Sequence, residues 1–137
     1  MTNLDLAASY LRKARVRLEM LSLLKQRESY SDVVREAQET VELATKAMLR
    51  RVGIDPPKWH DVSGIISENR SRFPRLTDGE ILRIAEVSKA LRRDRELSFY
   101  GDIDFIPSEE YSLADAETAI DSARFVVEVA TTVVGEG

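Results

Sequence analysis

Apolar residues recur at spacings of three and four in four separate stretches of this chain, and that rhythm restricts it to helices. The first set is Leu4, Ala7, Leu11, Ala14, Leu18 and Leu21; the second is Tyr30, Val34, Ala37, Val41, Ala44 and Met48. The third is Ile81, Ile84, Ser88 and Leu91, and the fourth is Leu113, Ala116, Ile120, Ala123, Val127, Ala130 and Val134. A helix with about 3.6 residues per turn brings each set onto one face, the seam of a bundle. Alanine is frequent along these seams, which lets helix backbones approach closely at shallow crossing angles. No segment alternates with the period of two that a half-buried strand requires. The fold class that follows is all-α, an up-down-up-down four-helix bundle.

The residues between the stripes agree with this division. Thr77 followed by Glu80 has the spacing of a capping box, and Ser112 with Asp115 is a weaker relative of it. Gly53 ends the second helix, and Pro56-Pro57 prevents its continuation. Only Gln26, Arg27, Glu28 and Ser29 separate the first two helices, so these form an antiparallel hairpin. Val62, Ile65 and Ile66 predict a short extra helix inside the second connection. The third connection, roughly Phe99 to Tyr111, is long and carries acids, aromatic residues and Pro107. Long ordered loops in compact domains are often functional. At 137 residues the whole chain, 1–137, reads as one domain.

Composition excludes several classes of function. Without cysteine there is no disulfide scaffold, thiolate metal site or cysteine nucleophile. The N-terminal stretch lacks the apolar core of a signal peptide, and no run approaches the length that spans a bilayer. A cytoplasmic protein without a membrane partner is therefore expected. The net charge of −4 supplies no global positive field for nucleic acid. The cations are nonetheless uneven. Arg83, Lys89, Arg92, Arg93 and Arg95 crowd one segment, and Arg70, Arg72 and Arg75 precede it. They make either solvated helix faces or a local phosphate-binding surface.

Few of the chemistries that helical bundles host suit the residues of this chain. Di-metal carboxylate bundles need Glu-x-x-His pairs from two helices, and the single histidine, His60, cannot supply two. No metal or cofactor is expected. No strand-turn-helix elbow exists to present a nucleophilic serine to His60, and no P-loop or Rossmann glycine pattern occurs. Trp59 and His60, directly after Pro56-Pro57-Lys58, are expected to pack the second connection onto the end of the bundle. The segment from Leu91 to Asp102 offers more. Arg92 and Arg95 are three apart and share a helix face, while Arg93 points elsewhere. Tyr100 and Asp102 follow where the helix is expected to run out. Arginines beside a phenol and a carboxylate suit the grip of a phosphate with a proton-transfer group next to it. Pairing of Arg95 with neighbouring acids, and closure of the bundle end by Tyr100, is the alternative that spacing leaves open.

From about Leu4 to Val134 the sequence resembles the HEPN family of small helical domains. The resemblance rests on Val41-Glu42-Leu43-Ala44-Thr45-Lys46-Ala47-Met48-Leu49, then Gly53-Ile54, then Pro57-Lys58-Trp59-His60-Asp61. The stretch Arg95–Asp102 and the entry to the last helix at Tyr111 and Asp115-Ala116 also resemble members of that family. The resemblance implies a homodimer formed by bundle packing. It also implies pairing with a minimal nucleotidyltransferase in two-component, toxin–antitoxin-like systems. Active members of the family are metal-independent ribonucleases that use an Arg-x(4–6)-His motif at the dimer cleft. There the Arg stabilises charge on the phosphate and the His handles the proton of the attacking 2′-hydroxyl. Arg95 matches the Arg of that motif, but the His position, five residues on, is Tyr100. An unperturbed phenol has a pKa of about 10 and is a poor base near neutrality. Tyr100 remains able to donate a hydrogen bond to phosphate, and Asp102 is the substitute base if the protein is active.

The expectation is thus a module that binds nucleotide, RNA or a nucleotidyltransferase through Arg92, Arg93, Arg95 and Tyr100. The alternatives are a metal-independent RNA-cleaving toxin using Arg95, Tyr100 and Asp102, and a purely structural helical interaction protein. The acidic net charge favours a protein or a small nucleotide over long RNA, because binders that track phosphates present a basic surface.

Overall fold

The computed structural model describes residues 2–57, 62, 64–100 and 110–135, with residues 94–100 described by their backbone. Four long helices carry the fold: α1 (Asn3–Gln26), α2 (Tyr30–Arg51), α4 (Asp78–Tyr100) and α5 (Leu113–Val134). Between α2 and α4 lie a single-turn helix, α3 (Ile65–Glu68), and a 3-10 turn (Arg70–Arg72). This is the short helix expected from Val62, Ile65 and Ile66, and Ile66 and Val62 are both buried. No strand occurs among the described residues.

The helices are not arranged as an even square. α2 packs against α1, α5 and α4, whereas α1 and α4 stay apart on opposite sides of the α2–α5 pair. The alanines explain that central pair. Ala37, Ala44 and Ala47 of α2 and Ala116, Ala119, Ala123 and Ala130 of α5 are all buried. Small side chains at these positions let the two backbones approach, and larger residues fill the space around them. Leu21, Met48, Leu49, Ile66 and Ile84 are among the largest fully enclosed side chains, each stabilising the fold by about 1.5–3 kcal/mol through burial. α4 rests mainly on α2 and touches α5 only lightly. That thin seam matters for the site below.

The helix ends are made by side-chain and backbone caps. Thr77 and Glu80 form the expected box: the Thr77 amide donates to Glu80 Oε1 at 2.9 Å, and the Glu80 amide to Thr77 Oγ1 at 3.1 Å. Ser112 and Asp115 form a complete box rather than a weak one. Thr2 and Asp5 make a third at the start of α1. There the backbone N–H and then the hydroxyl of Thr2 hold the Asp5 carboxyl below its ordinary range. At the other end of α2, Ile54 N donates to Leu49 O and Gly53 N to Arg50 O, with Gly53 at φ 81°. That pair of bonds is a Schellman motif, which needs a left-handed residue just past the helix. α1 closes the same way through Ser29 N to Leu24 O and Glu28 N to Lys25 O, but the left-handed residue is Glu28, at φ 60°.

Several expectations are corrected in detail. Leu4 and Leu113 belong to seams by spacing but are exposed, each in the first turn of its helix. Of the apolar residues off the seams, Val126 is completely buried and deepens the core, whereas Leu23 and Leu82 remain more than half exposed. Tyr100 is the last residue of α4 rather than part of the following connection.

Candidate functional site

The third stripe holds as drawn, with Ile81, Ile84, Ser88 and Leu91 all buried along α4. Ser88 is an exception in chemistry. Its hydroxyl is enclosed yet has no hydrogen-bond partner among the described residues. Immediately after Leu91 the helix turns basic, and Arg92 and Arg93 are exposed. Positions 95 and 100 continue on α4 through its last turns. Their side chains lie outside the described residues, as do Asp102, Trp59 and His60. The structure therefore brings four of the expected positions, 92, 93, 95 and 100, onto one continuous helix segment, with 92 and 95 on a common face by spacing.

Beside that segment lies a cleft of about 300 Å³ between α4 and α5, floored by α2. Val34, Val87, Leu91 and Ala119 supply an apolar floor. Around it stand polar groups: Glu86 from α4, Tyr111 from the connection, and Asp115, Thr118 and Ser122 from α5. The opening exists because α4 leans on α2 and leaves its seam with α5 thin. Further along the same seam the helices are tied together by Arg83, whose guanidinium lies over the Phe125 ring.

Chemically, the cleft offers an apolar slot with hydroxyls and carboxylates at its edge, one residue from the first of two exposed arginines. Such a slot suits a planar, hydrogen-bonding group such as a nucleobase better than an anion, since Glu86 and Asp115 repel negative charge. The anionic part of a ligand belongs instead on the arginines of α4. Among the described residues no cluster of His, Asp and Glu has the arrangement that holds a metal ion. Among the described residues no helix is long and apolar enough to cross a membrane.

Reading the sequence for sites did not single out the cleft. Of its lining, Tyr111 and Asp115 stand out in the sequence only as the entry to the last helix, and Thr118 and Ser122, four apart on α5, are hydroxyl residues of a kind too common on helix faces to stand out. α1 carries a basic stretch that likewise forms no motif. Arg12, Lys13 and Arg17 flank the exposed apolar residues Val16 and Met20.

The geometry agrees with what comparison of the sequence with known families finds. No curated protein matches the chain. The model of the HEPN domain matches residues 7–133, nearly the whole length and all four long helices, and the chain accordingly belongs to the HEPN domain family.

Proposed function

We propose that this HEPN domain is a nucleotide- or RNA-related binding module whose phosphate-recognising surface is the C-terminal part of α4. The observation that carries the reading is the adjacency of Arg92 and Arg93 to the α4–α5 cleft, since Leu91, which lines that cleft, directly precedes them. In this reading a base enters the cleft beside Tyr111, Thr118 and Ser122, and the phosphate meets Arg92 and Arg95 with help from the Tyr100 hydroxyl, while Arg93 adds positive charge from the neighbouring face. Guanidinium forks match phosphate oxygens in pairs, which a scattered set of lysines does not.

The module acts as a homodimer and as the HEPN half of a two-component, toxin–antitoxin-like system with a minimal nucleotidyltransferase. Support for self-association comes from α1, where Val16, Met20 and Leu23 are about half exposed at spacings of four and three. An outward apolar stripe of this kind is a surface that a second copy can cover.

Binding without cleavage follows from the side chain at position 100. Phosphate recognition tolerates a phenol, whereas cleavage needs a base that titrates near neutrality. The test is metal-free incubation of the purified protein with structured and single-stranded RNA, next to Tyr100→His, which restores the Arg-x(4)-His arrangement. No cleavage by wild type is expected. Cleavage by wild type that Arg95→Ala abolishes would replace the module with the metal-independent ribonuclease reading.

A further inference from the structure

The opposite end of the bundle carries a second concave surface, unlike the α4–α5 cleft in charge. It lies where α2 and α5 end and the chain crosses from the 3-10 turn to α4, and has a volume of about 550 Å³. Phe73, Val133 and Val134 contribute an apolar wall, and three arginines, Arg51, Arg72 and Arg75, stand around it. No Asp or Glu occurs among the described residues lining it. The cleft beside α4 is the reverse, with two carboxylates and no cation among the described residues of its lining.

The arginines at this end fall into two groups. Arg50 donates to Asp55 at 2.7 Å and to Asn3 at 3.1 Å, and Arg70 donates to Asp78 at 2.6 Å. Arg51, Arg72 and Arg75 have no carboxylate partner among the described residues. Instead, Arg72 Nη1 donates to the Val52 carbonyl at 3.0 Å, and Arg75 Nη1 to the Thr132 carbonyl at 3.4 Å. Each of these bonds uses one of five N–H donors, so both guanidinium groups are anchored to the backbone with donors to spare.

A purely structural role is the competing explanation, because cations stabilise helix C-termini. The ends of α2 and α5 together present about one unit of negative charge. Three guanidinium groups exceed that requirement, and the excess is positive charge gathered around an apolar wall. The volume also lies within the ~300–1,000 Å³ of small-molecule sites. We infer that this pocket binds a small organic phosphate, a phosphomonoester whose apolar or aromatic body rests against Phe73, Val133 and Val134 while its oxygens meet Arg51, Arg72 and Arg75. The site is separate from the arginines of α4 and does not depend on them.

Phenyl phosphate, with phenol and inorganic phosphate as controls, tests the assignment by amide NMR titration of the full chain at low ionic strength. Phenyl phosphate is expected to shift the amides of Arg51, Phe73, Arg75 and Val133 in a saturable way. Phenol and inorganic phosphate, each lacking half of the ligand, are expected to bind at least about tenfold more weakly. Arg51→Ala breaks no side-chain hydrogen bond among the described residues and should weaken phenyl phosphate by about tenfold or more. Arg72→Lys is the second variant; it keeps the charge, loses the planar fork, and should also weaken binding. Arg93→Ala should leave this titration unchanged, which separates failure here from failure of the α4 surface. Unshifted amides at millimolar phenyl phosphate, equal affinity for phenol, or full affinity in Arg51→Ala would each overturn the proposal.

Discussion

The guanidinium carbon of Arg83 lies 3.9 Å from the centre of the Phe125 ring, a cation–π contact that joins α4 to α5. Around it the two helices touch little, since α4 is held chiefly by α2. The contact therefore closes one part of a seam whose other part opens as the cleft. At an exposed site such a pair contributes about 0.5–1 kcal/mol. Arg83→Ala and Phe125→Leu should each lower the melting temperature slightly, and a double-mutant cycle by denaturant unfolding should return a coupling of that size. Additive effects would mean that the ring and the cation do not hold the seam.

The two Schellman turns make a second, opposed pair of expectations. Glu28 occupies the left-handed region at φ 60°, where a side chain with a Cβ is strained, while Gly53 occupies it at φ 81° without cost. A Cβ at Gly53 would meet no atom within 4 Å, so its only penalty is conformational. Glu28→Gly should raise stability by up to about 1 kcal/mol, and Gly53→Ala should lower it by about 1–2 kcal/mol. Urea unfolding of the two variants beside wild type measures both signs.

Much of this fold was legible because its local and packing signals agree. The stripe Ala37, Val41, Ala44 and Met48 is apolar at helical spacing, ends at Gly53, and is buried along its length. Capping residues marked the starts of α4 and α5 for the same reason, since an amide without a helical partner needs a side-chain oxygen nearby. What the pattern did not carry was relative packing. Spacing identifies a face but not its partner, so Val126, off the seam by count, is enclosed, while Leu113, on it, stands in solvent. Glu28 hid the first Schellman turn because nothing about a glutamate announces a left-handed backbone. The α4–α5 cleft escaped notice because it arises from the uneven distances among four helices, and Thr118 and Ser122 look like ordinary surface residues. Arg92, Arg93 and Arg95 stand out in the sequence because charge clusters are visible there, and Tyr100 because it follows them where the helix runs out and falls at the position that the resemblance assigns to His.

Self-association gives a third expectation. Met20 and Leu23 lie on the exposed stripe of α1 and are about half exposed. If a second copy covers this stripe, wild type should be dimeric by light scattering at tens of micromolar, and Met20→Lys combined with Leu23→Glu should make it monomeric with an unchanged helical spectrum. A monomeric wild type would remove the homodimer and any cleft shared between copies.

Whether the basic end of α4 recognises phosphate is decided most directly by fluorescence anisotropy of a short labelled single-stranded RNA, comparing wild type, Arg95→Ala and Tyr100→Phe at low salt. A lost charge-assisted hydrogen bond costs roughly 1.5–3 kcal/mol and a neutral one roughly 0.5–1.5 kcal/mol. The account predicts binding by wild type, loss of about tenfold to a hundredfold or complete loss in Arg95→Ala, and a smaller loss in Tyr100→Phe. Equal binding by wild type and Arg95→Ala, or no binding by wild type, would contradict it.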